Sequence, residues 1–340
     1  MRSVIGFVVI GRNEGERLRR CLESILRPGG RKGLLVYVDS GSTDGSVQLA
    51  RSLGAEVVEL EMTLPFTAAR ARNTGLLRLC ELDAAIDRVQ FVDGDCELAP
   101  GWMMAAREAI LARSEIAVVC GRRRERYRDA TVYNRLCDLE WDTPVGEAEA
   151  CGGDALMRAS AFQRVGGFHP LLIAGEEPDL CLRLRRLGHT VLRIDAEMTL
   201  HDAAMTRANQ WWRRMIRSGY AAAESLDRNG PATPTSDRRC VRGAVLWVIV
   251  LPVLAALGVL VSLLCGSTES AVIVLLVAVG GVCAQTLRIA ARRPSRGRGA
   301  GEALLYAAAC MVAKLPQAFG MLRYCVVRIR KLTPRLIEYK

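Results

Sequence analysis

Histidine is scarce in this chain, with three in 340 residues, and none of its twelve cysteines stands in a CxxC pair. Zinc ligation by a Cys/His cluster of the usual spacing is therefore not expected. Aromatic residues make up only 5%. Basic residues are not interleaved with them across the chain, which argues against nucleic acid as a partner. Several cysteines (Cys21, Cys80, Cys137, Cys181) sit in apolar or helical contexts, which suits reduced thiols. No cleavable signal peptide is expected, because the apolar run 4–10 is short and leads straight into a charged helix. The soluble part is thus expected to face the cytoplasm.

Charge is missing altogether from residues 243–265, a 23-residue apolar run long enough to span a bilayer. A short turn with one acid and no base follows, and then a second apolar run, 271–287, near the lower limit of length. A buried helical hairpin is the alternative to two spans. The chain's formal charge is +11, and residues 288–340 carry +10 of it, twelve Lys/Arg against Glu302 and Glu338. That basic stretch beside apolar segments points to an anionic membrane surface and places both flanks in the cytoplasm. Residues 303–327 are apolar too, but Lys314, Pro316 and Arg323 interrupt them, so an interfacial helix is expected there rather than a third span. The expected location is the inner membrane, multi-pass, with the catalytic domain cytoplasmic.

Before residue 230 the chain alternates apolar strands with amphipathic helices. Strands are expected at 4–10, 34–38, 55–60, 89–92 and 116–121, and helices at 16–26, 47–53, 68–82 and 102–113. Such alternation indicates an α/β, doubly wound, mostly parallel sheet. The expected domains are a catalytic domain 1–230, with halves 1–121 and 122–230, a linker 231–242, two spans within 243–287, and the basic loop, interfacial helix and tail of 288–340.

Three acids end expected strands: Asp39 after the second, and Asp93 and Asp95 after the run Val89-Gln90-Phe91-Val92. Charge is costly inside a sheet, so these carboxylates belong at the carboxyl ends, where open α/β sheets bind ligands. Asp93-Gly94-Asp95 is also ordinary turn chemistry, and that reading stays open on those residues alone. Placed in one crevice, the acids suit a nucleotide-bearing substrate. Asp93 and Asp95 can hold Mg²⁺ or Mn²⁺ on a diphosphate. Asp39 can accept a pyrimidine imino N–H, Arg12 can stack on the ring, and Arg70 or Arg72 can bind the diphosphate.

These elements, in their order and spacing, resemble the inverting GT-A glycosyltransferases of family 2. The resemblance rests on Val8-Val9-Ile10-Gly11-Arg12-Asn13-Glu14, Val38-Asp39-Ser40-Gly41-Ser42-Thr43-Asp44-Gly45-Ser46, Ala71-Arg72-Asn73-Thr74-Gly75 and Val92-Asp93-Gly94-Asp95. It continues in Gly166-Gly167-Phe168 and Gly175-Glu176-Glu177-Pro178-Asp179-Leu180, and covers roughly residues 1–215. It implies a nucleotide-sugar donor, with UDP-sugars favoured, contacted by Arg12, Glu14, Asp39, Asp44, Arg70, Arg72 and Asp93. It implies a divalent cation on Asp95, with Asp93 beside it and His201 as a further ligand. The family's base aspartate is matched by Glu177, with Glu176 in reserve. A first-turn helix acid is the plainer reading of that Glu-Glu-Pro-Asp run.

Gly153, Asp154, Trp211 and Trp212 are assigned to the acceptor. Gln210-Trp211-Trp212-Arg213 differs from the Gln-x-x-Arg-Trp element of processive synthases, and two spans are few for a polymer channel. The resulting expectation is transfer of a sugar to a lipid-linked or saccharide acceptor in surface-polysaccharide assembly. A sugar nucleotidyltransferase would need a glycine- and arginine-rich loop after the first strand, and Gly11-Arg12-Asn13-Glu14-Gly15 is not one. An inactive membrane scaffold would be expected to have lost Asp39, Asp95 or the base, and all are present.

Overall fold

The computed structural model describes residues 4–27, 34–64, 66–292, 299–332 and 337–338. Residues 28–33, Pro65, and the basic residues within 293–298, 335 and 340 lie outside the described residues. The chain divides into two compact units, Met1–Thr206 and Arg207–Lys340.

The first unit runs β1 (Val4–Gly11), α1 (Glu16–Leu26), β2 (Leu35–Asp39), α2 (Ser46–Ser52), β3 (Glu56–Glu59), α3 (Ala68–Leu82), β4 (Ile86–Asp93), β5 (Cys96–Leu98) and α4 (Trp102–Ala112). It continues with β6 (Ile116–Glu125), α5 (Val132–Trp141), β7 (Gly146–Glu147), β8 (Ala155–Arg158), α6 (Ala159–Arg164), α7 (Glu176–Arg186) and β9 (Thr190–His201). One sheet joins the strands in the order β3-β2-β1-β4-β8-β6-β9-β5, with β7 on β9. Strands β1, β2, β3, β4, β6 and β9 point one way and β5, β7 and β8 the other, so the sheet is mixed and mostly parallel, as expected.

The apolar runs read as strands form its core. Val8, Val9, Val36, Val38, Val89, Phe91 and Val92 are all fully buried, each contributing about 1.5–3 kcal/mol by leaving water. Helix α3 packs on β1 and β2, and α4 on β6. Gln90, fully buried in β4, is satisfied on both sides of its amide. It accepts from Trp102 Nε1 at 2.9 Å and donates to the Phe91 carbonyl at 2.8 Å.

Register then places the chemistry. Gly11 pairs with Asp39 and Ile10 with Asp93, so the carboxyl ends of β1, β2 and β4 bring both acids to one edge of the sheet. The later strands differ from expectation. β6 runs to Glu125 instead of stopping at 121, and β8 and β9 were not expected at all. In β9, Arg193, Asp195 and Glu197 break the apolar run that a doubly covered strand would show.

The second unit holds α8 (Ala208–Asn229), a 3₁₀ turn at Gly230–Ala232, α9 (Thr235–Ala244), a π-helical stretch at Val245–Val250 and α10 (Leu251–Leu264). After these come α11 (Thr268–Arg292), α12 (Ala300–Val312) and α13 (Lys314–Ile329). The break between units falls at Thr206, with α8 in the second unit. The expected linker 231–242 is largely helix, because Pro231 and Pro234 sit at helix starts, where proline's missing N–H costs nothing.

Among the described residues, three helices are long and apolar enough to cross a membrane, where two spans were expected: Thr235–Leu264, Thr268–Arg292 and Ala300–Ile329. In the third, 28% of the most apolar window is buried, against 6% in each of the others. Its α13 lies on α8 at two glycines. A methyl on Gly320 would run into the carbonyl oxygen of Ile216, and one on Gly219 into that of Gln317. Tyr220 and Tyr324 meet edge to face at 5.3 Å, and Asp227 accepts from Tyr324 Oη at 2.7 Å and Arg328 Nε at 3.2 Å.

Candidate active site

The loop after β1 and the loop after β2 are bound together. Asn13 accepts from the Thr43 N–H at 2.7 Å, and its own N–H donates to Ser42 Oγ at 2.8 Å. Asn13 holds a left-handed φ of 55° to do so. Asp39 is buried beneath this junction, accepting from Gly41 and Ser42 N–H and from the Tyr37 hydroxyl. Asp44 caps the start of α2 by accepting from the Ser46 N–H and hydroxyl. Burial opposes its charge, but those bonds prevail and hold its pKa low. Glu14 pairs with Arg17 at 2.9 Å. Arg12 lies over the Phe66 ring at 4.7 Å.

Arg70 and Arg72, two residues apart on α3, part company. The Arg70 guanidinium donates to the carbonyls of Glu61 and Leu64, so it ties down its own loop and does not join the acids. Arg72 is 3% exposed and bridges Asp93 Oδ1 at 2.7 Å and Glu176 Oε1 at 2.9 Å. Asp93 also faces Arg123 at 3.4 Å. Burial alone would raise the Asp93 pKa, but the two guanidiniums hold it well below the usual carboxylate range. Asp154, expected at the acceptor, is fully buried and occupied. It accepts from the Asp93 N–H at 2.9 Å, Thr199 Oγ1 at 2.8 Å and Arg123 at 2.8 Å. It positions Asp93 rather than presenting a free carboxylate.

Asp95 and His201 meet from β4's far turn and the end of β9, Oδ2 to Nε2 at 3.2 Å. The other imidazole nitrogen faces Glu125 at 3.5 Å, and Trp141 stands edge-on to the ring at 4.7 Å. Burial lowers the His201 pKa against the pull of Glu125, which keeps the imidazole neutral and able to ligate. One atom each from Asp95, Cys96 and His201 falls within 4.8 Å. A carboxylate beside a neutral, oriented imidazole fits a divalent cation such as Mn²⁺. Asp93, with its charge already matched by Arg72 and Arg123, is the weaker ligand.

Helix α7 begins with Glu176 and Glu177, and their surroundings separate them. Glu176 is neutralised by Arg72. Glu177 accepts one bond, from the Gly152 N–H at 2.8 Å, while its Oε2 is buried without a hydrogen-bond partner. Burial, with Glu176 next to it, pushes its pKa up to about 7. Gly153 follows directly and must be glycine, since a Cβ there would stand 2.5 Å from Asp93 Oδ2. Trp211 and Trp212 lie half-buried on the first turn of α8, in the second unit.

Arg123 and Glu125 were missed by sequence reading. Arg122-Arg123-Arg124 reads as a solvated charge run, but on a strand its members alternate. Arg122 and Arg124 both turn to Asp138, while Arg123 turns to Asp93 and Asp154.

Residues 7–166 match the Glycosyl transferase family 2 model. The match ends ahead of Glu176 and Glu177. The pre-mycofactocin glycosyltransferases of two Mycobacterium tuberculosis strains are 26% identical over 272 residues, 75% of this chain and 54% of theirs. The chain thus spans about half the length of these curated relatives. The fold is similar to that of a mannosyltransferase from Pyrobaculum calidifontis, solved with GDP-Man and Mn²⁺. There the TM-score is 0.57 at 21% identity, covering 93% of this chain and 88% of that one.

Proposed function

We propose that this chain, which carries a glycosyl transferase family 2 domain of GT-A fold, transfers one sugar from a nucleotide donor to an acceptor hydroxyl in a single inverting displacement. The observation that carries the reading is Glu177. It is a partly buried carboxylate with a pKa of about 7, one oxygen held by Gly152 and the other unpartnered. A general base works best when its pKa lies near the operating pH. Glu177 takes the acceptor's proton as that oxygen attacks the anomeric carbon, and Glu176, locked to Arg72, does not compete for it. Asp39 and the bound pair of loops receive the nucleoside, with Arg12 at their rim. Arg72 and Arg123 hold Asp93 in place towards the donor ribose. Asp95 and His201 would hold Mn²⁺ or Mg²⁺, and the cation's contribution there is countercharge for the departing diphosphate.

The reading extends to a membrane setting. The apolar helices hold the unit at the inner leaflet, and Arg288 and Arg292 in the closing turns of the second helix favour a cytoplasmic face. A lipid-linked acceptor in bacterial surface or exopolysaccharide synthesis suits that placement, with UDP-sugars the first donors to try. Membranes carrying the chain are expected to release nucleoside diphosphate from one of a panel of UDP-, GDP- and dTDP-sugars in the presence of Mn²⁺. Asp95→Ala should release about tenfold less, or lower still. No release from any donor, or full activity of Asp95→Ala, overturns the proposal.

A further inference from the structure

Cys151 and Cys181 are 30 residues apart in sequence, yet their sulfurs lie 3.6 Å from each other. Both are buried and both are free thiols. Cys181 follows Glu177 by four residues on α7, so the two share a helix face. Cys151 comes from the loop that also presents the Gly152 N–H to Glu177. One ligand atom each from Cys151, Glu177 and Cys181 lies within 4.8 Å of the others. Glu177 keeps Oε2 buried with no hydrogen-bond partner, and the neighbouring Gly152 is exposed, which gives an ion a way in. No CxxC spacing announces this group, because a loop crossing onto a helix assembles it.

The sulfur separation distinguishes two fates for the pair. A disulfide needs sulfurs at about 2.05 Å, so this pair would have to close by roughly 1.5 Å. Two thiolates on one tetrahedral zinc, each at about 2.3 Å from the metal, stand about 3.8 Å apart. The observed spacing is close to the second. The grouping of Asp93, Cys96 and Asp154 lacks this character, since Arg72 and Arg123 already neutralise its carboxylates.

We propose that Cys151, Cys181 and the Glu177 carboxylate form a site for a thiophilic divalent cation, Zn²⁺ by its donor set, distinct from Asp95 and His201, and that filling it stops sugar transfer by occupying the base. Binding exchanges one thiol proton from each cysteine for the metal, releases those two protons to solvent, with a third from Glu177 where its carboxyl is protonated, and needs no oxidant. The inhibitory half rests on Glu177 being the base; the binding half does not.

The test uses the full chain in detergent under reducing conditions, with Cd²⁺ or Zn²⁺ as the probe. One equivalent of Cd²⁺ is expected to give a thiolate-to-metal charge-transfer band. The band should be lost in the Cys151→Ser/Cys181→Ser double variant and kept in Cys80→Ser. X-ray absorption of the zinc-loaded wild type should show two sulfurs at about 2.3 Å and lighter atoms at about 2.0–2.2 Å. That measurement needs no variant, so a misfolded variant cannot mask the answer.

With donor and saturating Mn²⁺, Zn²⁺ should lower turnover by about tenfold or more, and further Mn²⁺ should not restore it. Cys181→Ser should raise the half-inhibiting zinc concentration about tenfold or more. A missing charge-transfer band, a zinc shell of only nitrogen and oxygen, or a Cys151–Cys181 disulfide under these conditions overturns the site. Zinc bound with turnover unchanged overturns the inhibition. If no donor turns over at all, the transferase reading fails instead, and the two spectra alone decide the site.

Discussion

Glu177 and Arg72 show how single residues divide the work at the edge of the sheet. With its pKa raised to about 7, Glu177 is protonated below that pH and unable to accept a proton. Turnover should therefore fall about tenfold per pH unit below 7 and level off above it. A pH–rate profile with its acid limb near the ordinary glutamate range would count against the assignment. Glu177→Gln should lose about 10²–10⁴-fold in turnover while still binding donor, as measured by calorimetry with the nucleoside diphosphate. Arg72 bridges two carboxylates from deep burial, so Arg72→Ala leaves Glu176 without its cation and Asp93 with Arg123 alone, and should cost about 3–5 kcal/mol. Arg72→Lys keeps the charge but not the two-armed fork, and should recover only part of that loss in thermal unfolding. Asp39, Asp93 and Asp95 were legible in sequence because an acid that ends an apolar run has few places to go. Arg123 was not, because three consecutive arginines look the same whether a strand divides them or water surrounds them all.

Among the elements, the sequence shows most plainly those that are covered on both faces. β1 and β2 announce themselves as valine-rich runs and β4 by its Val89, Phe91 and Val92, whereas β8 is four residues long and β9 carries Arg193, Asp195 and Glu197. The antiparallel insertion of β8 between β4 and β6 follows from no local propensity. It is nonetheless what carries Gly153 and Asp154 up to Asp93. The α8–α13 pair depends on a close approach that only glycine permits. Gly320→Leu should cost about 1–3 kcal/mol or more in detergent-solubilised protein, read as a lowered thermal midpoint. Gly301→Leu, where a side chain meets open space, should leave that midpoint unchanged.

At the scale of the whole molecule, apolar runs and the crowding of positive charge after residue 287 were enough to foresee membrane association. Where the two compact units divide was not, since Thr206 and Arg207 mark no change in composition. The third apolar helix is where composition and packing pull apart, and the Asp227 contacts bear on it. Helix α8 directly precedes the first apolar helix. Tyr324 and Arg328, at the far end of α13, both bind Asp227 on that same α8. Asp227 lies in the last turn of α8, just ahead of the first apolar helix, so the end of α13 is held beside the point from which that helix sets out. The expectation that follows is one of parity: between residues 235 and 329 the chain is expected to return to the side it left. Epitope tags at the two termini of the full chain are accordingly expected to be protected from external protease together and exposed together on permeabilisation. One tag inside and one outside would break the pairing of Asp227 with Tyr324.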